Sequence, residues 1–272
     1  MAVGLLAGAG VFGALIGSFL NVVILRTPTG KSIVSPPSAC ANCGARIRPW
    51  DNVPVVSWLV LRGRCRDCGN RISARYPLVE LGTGIFFALV GWWALDGGAS
   101  ATGEWGIALA LVAFLYLAAV SVALTMIDLD THKLPNKIVL PSYIVGGVLL
   151  GSASLLAADY EALIRAGIGM AGMFAAYFLM ALAYRGGMGF GDVKLAGVLG
   201  LFLAWLGLGQ LLVGAFAAFV LGGVFSIILL VLSRAGRKSG IPFGPWMLGG
   251  AWVGIFLGDS IWTGYLALFG LG

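Results

Sequence analysis

Long apolar stretches run through most of the chain, and the polar residues collect in one insert and in short connections between the stretches. Apolar runs of roughly 20 residues are long enough to cross a bilayer as helices. They predict about eight membrane-spanning helices, near residues 3–25, 77–95, 105–127, 138–157, 163–184, 193–206, 210–232 and 244–270. The pattern therefore indicates an all-α polytopic membrane protein, in which the sixth run is the shortest.

The one large polar segment lies between the first two apolar runs. It divides the chain into a first transmembrane helix at residues 1–25, an insert at 26–76 and a membrane domain at 77–272. Composition agrees, because 60% of the residues are hydrophobic and 10% are charged, against about 25% charged residues in soluble domains. We expect no cleavable signal peptide, since the first run can span and no basic stretch precedes it.

The basic residues predict how the protein is oriented. If successive runs alternate in direction, sixteen of the seventeen Lys and Arg residues fall on one side, and only Arg165 falls opposite. Because Lys and Arg are enriched in cytoplasmic loops, we expect this side, with the insert, to face the cytoplasm and both termini to face outward. The net charge of +6 is explained by this topology, and we expect no nucleic-acid partner.

All four cysteines lie in the insert, as the pairs Cys40-Ala-Asn-Cys43 and Cys65-Arg-Asp-Cys68. Each pair is followed by glycine, as in a zinc knuckle. Cytosolic thiols stay reduced, which disfavours disulfides, and four thiolates match tetrahedral zinc. The spacing therefore predicts a structural zinc site, because four protein ligands leave no open position for catalysis. Four unliganded thiols or a redox pair are the alternatives.

Such a zinc site would carry a net charge of about −2 from four thiolates and one divalent ion. Basic residues stand close to the cysteines in the sequence. We expect them to offset this charge: they are Arg46, Arg64, Arg66 and Arg71.

Two aspartates stand at the edge of apolar runs. Asp128 closes the third run, and Asp192 opens the sixth after a glycine-rich approach. A carboxylate at membrane depth is costly and marks a functional site. Two close carboxylates share one proton, so that one acts as general base and the other as general acid. The pattern predicts a hydrolytic pair; the alternative is that each aspartate only caps a helix.

Residues near the first aspartate have simpler interpretations. Asp130 is expected to be solvated or paired with Lys133, and His132 is expected to have no chemical role. Asn136 follows a proline and is expected to cap the next helix at its N-terminus. In the first apolar run, the G-x-x-x-G pair Gly13 and Gly17 predicts close helix packing.

Taken together, these motifs resemble the type IV prepilin peptidases. Gly189-Phe190-Gly191-Asp192 is similar to the GxGD motif, which that family shares with presenilin-like intramembrane aspartyl proteases. The segment from Asp128 to Asn136 resembles the family's first aspartate motif, although many members carry Asp where this chain has Asn136. The leading aspartate of that motif is the catalytic one, so the resemblance implies Asp128 rather than Asp130.

The insert is similar to the amino-terminal cytoplasmic domain of the same family. This similarity rests on the cysteine pairs and on the flanking segments Arg48-Pro-Trp-Asp-Asn-Val-Pro54 and Arg75-Tyr-Pro-Leu-Val-Glu80. The resemblance covers almost the whole chain.

The resemblance implies a bifunctional enzyme of the bacterial inner membrane, with its active site facing the cytoplasm. It implies cleavage of the basic leader from prepilins or type II secretion pseudopilins, followed by methylation of the new amino terminus from S-adenosylmethionine. No residue identifies the methyl-donor site. Glu80 is a candidate for binding a free amine or a basic leader, or else an interfacial charge paired with Arg75.

Two other functions stay open from the residues alone. Intramembrane carboxylates also occur in ion-coupled transporters, where they lie at mid-span. The protein could also be a noncatalytic zinc-bearing assembly factor, which would stay active after Asp192→Asn. The sequence does not indicate which pilin is the substrate, or the oligomeric state.

Overall fold

The computed structural model describes residues 2–98, 103–183, 188–232 and 242–270. Helices make up about three quarters of this part of the chain, and most of the remainder is the irregular polypeptide of the insert, with a short 3₁₀ turn at Pro49–Asn52 and two isolated β-bridges. The nine α-helices found there are α1 (Ala2–Arg26), α2 (Val56–Val60), α3 (Arg75–Leu95), α4 (Glu104–Thr131), α5 (Asn136–Leu156), α6 (Tyr160–Ala183), α7 (Phe190–Leu206), α8 (Leu208–Val231) and α9 (Gly244–Leu268). The prediction of an all-α membrane protein is confirmed.

Helix α7 differs from the other long helices. Seven helices in the described ranges are long and apolar enough to cross a membrane, whereas α7 has 17 residues and is about 26 Å long. All of its side chains from Leu195 to Leu206 are buried. It therefore lies in the centre of the bundle, packed between α5, α6, α8 and α9, and its neighbours shield it from lipid.

Small residues allow the helices to approach closely. A Cβ atom placed on Gly13 would lie 2.7 Å from the Cβ of Phe87, and one on Gly17 would lie 2.7 Å from the Cα of Glu80. The predicted packing role of these two glycines in α1 is thus confirmed against α3. Gly169 of α6 and Gly200 of α7 meet backbone to backbone in the same way.

The polar insert leaves the bundle after α1 and returns at α3. Its polypeptide contains the 3₁₀ turn, the short helix α2 and two cysteine turns, each closed by one β-bridge. Four of the sixteen basic residues that the sequence predicts on the cytoplasmic side lie outside the described residues: Arg185, Arg234, Arg237 and Lys238. The end of the fifth predicted run, at residue 184, lies outside them as well.

Candidate active site

Asp128 lies in the last turn of α4 and is 4% exposed. Its Oδ2 atom accepts a hydrogen bond from the backbone N–H of Gly244, the first residue of α9, at 3.1 Å. A Cβ atom on Gly244 would come within 2.6 Å of that same oxygen. A side chain at position 244 would therefore displace the carboxylate or the start of α9.

Asp192 is the third residue of α7. Its Oδ2 atom accepts a hydrogen bond from the backbone N–H of Gly189 at 3.1 Å, and its own N–H donates to the Gly189 carbonyl at 3.0 Å. The carboxylate thus satisfies a free N–H at the helix start, as the acidic residue of a capping box does. The partial positive charge at a helix N-terminus also attracts the carboxylate.

The fold brings the two aspartates to the same end of the bundle. Leu134 lies between Gly191, which precedes Asp192, and Gly244, which donates to Asp128. Its Cβ would be 3.0 Å from a Cβ on Gly191, and its Cδ2 would be 3.2 Å from a Cβ on Gly244. Two carboxylates from separate helices thus share one location, each held by a backbone N–H.

Asp130 points away from this pair. It forms a bidentate ion pair with Arg75 at the start of α3, with Nη1 and Oδ1 2.9 Å apart. Asp130 is exposed to solvent, as one of the two expectations had it. The pairing with Lys133 is wrong, because the partner is Arg75 of a neighbouring helix. The suggested pairing of Arg75 with Glu80 is also wrong, because Arg75 pairs with Asp130.

Glu80 is instead bound to the insert. Its Oε2 atom accepts a hydrogen bond from the backbone N–H of Val55 at 2.7 Å. This contact joins the second turn of α3 to the segment just before α2.

Helix α5 holds the start of α7 through two contacts with Lys194. The Nζ atom of Lys194 donates to Oδ1 of Asn136 at 3.0 Å, and the Tyr143 hydroxyl donates to the Lys194 carbonyl at 2.6 Å. Asn136 is the first residue of α5 and makes no side-chain cap there, so the prediction that it is an N-cap is wrong. Its side chain instead joins α5 to the helix that carries Asp192.

The solitary histidine ends α4. His132 adopts a left-handed conformation with φ of 53°, and its N–H donates to the carbonyl of Asp128 at 2.8 Å. Its side chain is exposed to solvent. The contact that the structure gives it with the site is this backbone turn.

The four cysteines form a compact cluster. Their sulfur atoms all lie within 4.8 Å of one another, and Sγ of Cys40 is 3.8 Å from Sγ of Cys68. Sulfurs bound to one tetrahedral zinc at about 2.3 Å are separated by about 3.8 Å. The arrangement therefore fits a single tetrahedral metal ion, and the cysteines are not joined in disulfides.

The two cysteine turns are built alike. Gly44 and Gly69 both have φ of +71°, and their N–H groups donate to the carbonyls of Cys40 and Cys65, each at 2.9 Å. A left-handed φ favours glycine, which explains the glycine after each pair. Each turn thereby directs two thiols toward the centre of the cluster.

Electrostatics in the cluster favour a bound cation. The backbone N–H groups of Cys43 and Asn42 lower the pKa of Cys40 to about 6. The pKa of Cys43 rises to about 12 despite the N–H of Ala45, because partial desolvation and the other three thiols oppose its ionisation. The neighbouring thiols thus favour ionisation of Cys40 and oppose that of Cys43. A divalent cation between the four sulfurs makes four thiolates compatible.

Ion pairs connect the cysteine turns to the rest of the insert. Arg66 donates to both carboxylate oxygens of Asp51, with Nε 2.9 Å from Oδ2, and Arg48 lies 3.0 Å from Asp67. The guanidinium of Arg66 lowers the pKa of Asp51. Arg66, which was expected to offset the thiolate charge, is thus occupied by Asp51.

Comparison with known proteins decides the family. Residues 11–94 match the Bacterial Peptidase A24 N-terminal domain, and residues 115–227 match the Type IV leader peptidase family. The chain is similar to a Prepilin leader peptidase/N-methyltransferase of Stutzerimonas stutzeri, with 34% identity over 94% of this chain and 92% of that protein. The chain belongs to the type IV leader peptidase family.

Other relatives with the same printed name support this membership. The protein of Pseudomonas aeruginosa is 33% identical over 96% of this chain and 93% of its own length. That of Aeromonas hydrophila is 36% identical over 95% and 93%. No solved structure matches the chain. The resemblance to type IV prepilin peptidases is confirmed, and the two matched domains contain the cysteine cluster and the aspartates respectively.

The sequence did not point to three residues of the candidate active site. Gly244 donates to Asp128, Leu134 lies between the two helix starts, and Lys194 links α7 to α5. Lys194 could have been found, because a lysine two residues after Asp192 begins an otherwise apolar run. Gly244 gave no signal, since it lies 116 residues from its partner.

Proposed function

We propose that the protein is a membrane aspartic endopeptidase that removes the leader from type IV prepilins or type II secretion pseudopilins and methylates the new amino terminus. The observation that carries this proposal is the meeting of Asp128 and Asp192 at one end of the bundle, each fixed by a backbone N–H. The printed names of the relatives support the substrate class and the second activity.

The proposed cleavage uses the two aspartates as a proton-sharing pair. The ionised carboxylate takes a proton from a water molecule, whose oxygen attacks the scissile carbonyl carbon. The protonated carboxyl gives its proton to the carbonyl oxygen. The intermediate then collapses: the first aspartate gives the proton taken from water to the leaving amine, and the second takes back a proton from a hydroxyl of the intermediate. Asp130 takes no part in this scheme, because Arg75 binds both of its carboxylate oxygens.

The proposed location is the inner membrane of a bacterium, with the aspartates facing the cytoplasm. The positive-inside rule supports this orientation. In the structure, Arg75, Lys194 and the insert all lie at the aspartate end of the bundle, while Arg165 donates to the carbonyls of Ala204 and Trp205 at the other end of α7.

The proposed methyl transfer places different demands on the protein. The donor would be S-adenosylmethionine, and the acceptor is an amino terminus with an ordinary pKa near 7.7–8.0, so a neutral amine is accessible without a strong base. The main requirement is to position the two substrates. We propose that the insert, held by a structural zinc at Cys40, Cys43, Cys65 and Cys68, contributes to this positioning.

The alternative functions receive no support. Both carboxylates lie in terminal turns of their helices, whereas an ion pathway would favour acidic residues at mid-span. A noncatalytic role gives no reason for two helix-borne carboxylates to converge.

The test is cleavage and methylation by aspartate variants in lipid nanodiscs. Asp128→Asn and Asp192→Asn should each lower prepilin cleavage by about 10³-fold or more, while Asp130→Asn, the matched control, should stay within about tenfold. Given already cleaved pilin and labelled donor, Asp192→Asn should still transfer the methyl group. Normal cleavage by either Asp128→Asn or Asp192→Asn would exclude the pair mechanism, and loss of transfer would mean that the two activities share one site.

A further inference from the structure

The insert carries an apolar face on its outer surface. Val56, Leu59 and Val60 of α2 are 55%, 61% and 71% exposed. Positions separated by three and four residues lie on one side of a helix, so these three side chains form a single patch. Val53, 47% exposed, precedes them. This patch on residues 53–60 is called the α2 patch below.

The opposite side of the same segment is firmly held. The Ser57 hydroxyl donates to the carbonyl of Trp50 at 2.9 Å and accepts from the N–H of Val53 at 3.1 Å. The Trp58 indole N–H donates to the carbonyl of Ile72 at 3.1 Å, and its ring covers Gly63. The apolar side chains are therefore presented outward by a defined structure.

The segment lies beside the membrane-spanning helices. The N–H of Val55 donates to Glu80, whose backbone packs against Gly17 of α1. Gly17 is nine residues before the end of α1 at Arg26, which corresponds to about 13 Å along the helix. Leu25, in the last turn of α1, is still 63% exposed. The Glu80 side chain points back toward the N-terminus of α3. Its hydrogen bond nevertheless holds Val55 closer to the middle of the bundle than the end of α1.

The backbone of the segment is bent to make this contact. Val55 has φ of 61° and ψ of −50°, a region that β-branched residues rarely adopt. The N–H group of Val55 itself donates to the Glu80 carboxylate. A carboxylate at this depth needs a hydrogen-bond donor, and the bent segment supplies it.

Basic residues follow the apolar patch immediately. Arg62 and Arg64 are exposed and come directly after α2 and its final turn. An apolar face bordered by arginines is typical of segments that lie in the interfacial layer of a bilayer, with the arginines near lipid phosphates.

We propose that the α2 patch inserts into the interfacial layer of the membrane and anchors the insert to the bilayer beside α3. The occupant of the patch is lipid: acyl chains and glycerol groups contact Val56, Leu59 and Val60, and phosphates contact Arg62 and Arg64. The segment before α2 is thus held beside the bundle by Glu80 on one side and by lipid on the other.

The test is photo-crosslinking of the full-length protein in nanodiscs that contain anionic lipid. A diazirine amino acid at position 60 should form lipid adducts, measured by mass spectrometry, at about ten times the yield found at position 41. Ala41 is an exposed residue of a cysteine turn and serves as the control. Equal yields at the two positions would overturn the proposal, as would crosslinks from position 60 that go to protein instead of lipid.

A second arm tests the tether. Glu80→Ala removes the acceptor for the Val55 N–H, whereas Glu80→Gln keeps one. Lipid adducts at position 60 should fall severalfold in the alanine variant and stay near normal in the glutamine variant. An unchanged yield in Glu80→Ala would show that this bond does not hold the patch in the membrane.

Discussion

The aspartate site and the cysteine insert lie at the same end of the molecule but are stabilised in different ways. Asp128 is 4% exposed, and the residues around it belong to the ends of long helices that pack closely at glycines. In the insert, every residue from 27 to 74 is described, and among them only Ser57 and Gly63 are buried. The insert therefore has no apolar core of its own.

The difference shows which forces each region depends on. A segment of this size without a core needs a metal, covalent links or contacts with a larger body. The insert offers four clustered thiols, two ion pairs and the Glu80 contact. The aspartate site instead depends on helix packing. Perturbing the metal should thus affect the insert first, and perturbing glycine contacts should affect the aspartates first.

Removing two zinc ligands should produce the largest difference between the effects on the insert and on the aspartate site. Cys40→Ser with Cys43→Ser should abolish binding of the one zinc ion expected per chain and unfold the insert, because zinc binding supplies the folding free energy of such sites. Methyl transfer should fall by at least about 100-fold, and cleavage should fall much less. Elemental analysis measures the bound zinc, hydrogen exchange measures the order of the insert, and the methyl-transfer and cleavage assays measure the two activities.

Two results would contradict this expectation. A zinc-free variant with an ordered insert would show that the metal is not structural. Unchanged methyl transfer after loss of the insert would place the donor pocket elsewhere. Ala41→Ser, a substitution within the same turn that spares the ligands, is the control.

A smaller effect is expected from a methyl group beside Asp128. Gly244→Ala would place a Cβ 2.6 Å from the carboxylate oxygen and should lower cleavage by between about 10-fold and 100-fold, because small displacements of catalytic groups are costly. Gly249→Ala on the same helix meets only Leu221, at 3.6 Å, and should be nearly silent. If both variants cleave normally, the Gly244 contact does not position Asp128.

The smallest effect should come from the ion pair between Arg66 and Asp51. Because the guanidinium lowers the pKa of Asp51, the pair stabilises the insert above the ordinary aspartate value near 4. That contribution is lost as pH falls through the lowered pKa. Arg66→Gln should speed hydrogen exchange of the Pro49–Asn52 turn modestly at pH 7, and the difference from the unmodified protein should disappear in strong acid. A difference that grows on acidification would contradict the assignment.

The fold was largely predictable because each element has a local signal. Apolar runs specified the long helices, and the glycine after each cysteine pair anticipated the left-handed turns at Gly44 and Gly69. Asp192 as a residue of a helix start was also predictable. Family resemblance, and not periodicity, selected Asp128 over Asp130.

Long-range partners were not predictable. Asp130 pairs with Arg75, 55 residues away, and Glu80 bonds Val55, 25 residues away. Such pairings depend on which helices become neighbours and on their rotation about their axes, which a single sequence does not specify. The shortness of α7 likewise became understandable only when the helices surrounding it were known.

The central claim is that Asp128 and Asp192 act as one unit. The most direct measurement is kcat/KM for prepilin cleavage by the two asparagine variants and by the double variant in nanodiscs. Residues that act as a unit are strongly non-additive, so we expect each single change to cost about 10³-fold or more and the double variant to be no worse than either within about threefold. Losses that multiply in the double variant, or a single variant that still cleaves normally, would contradict the account.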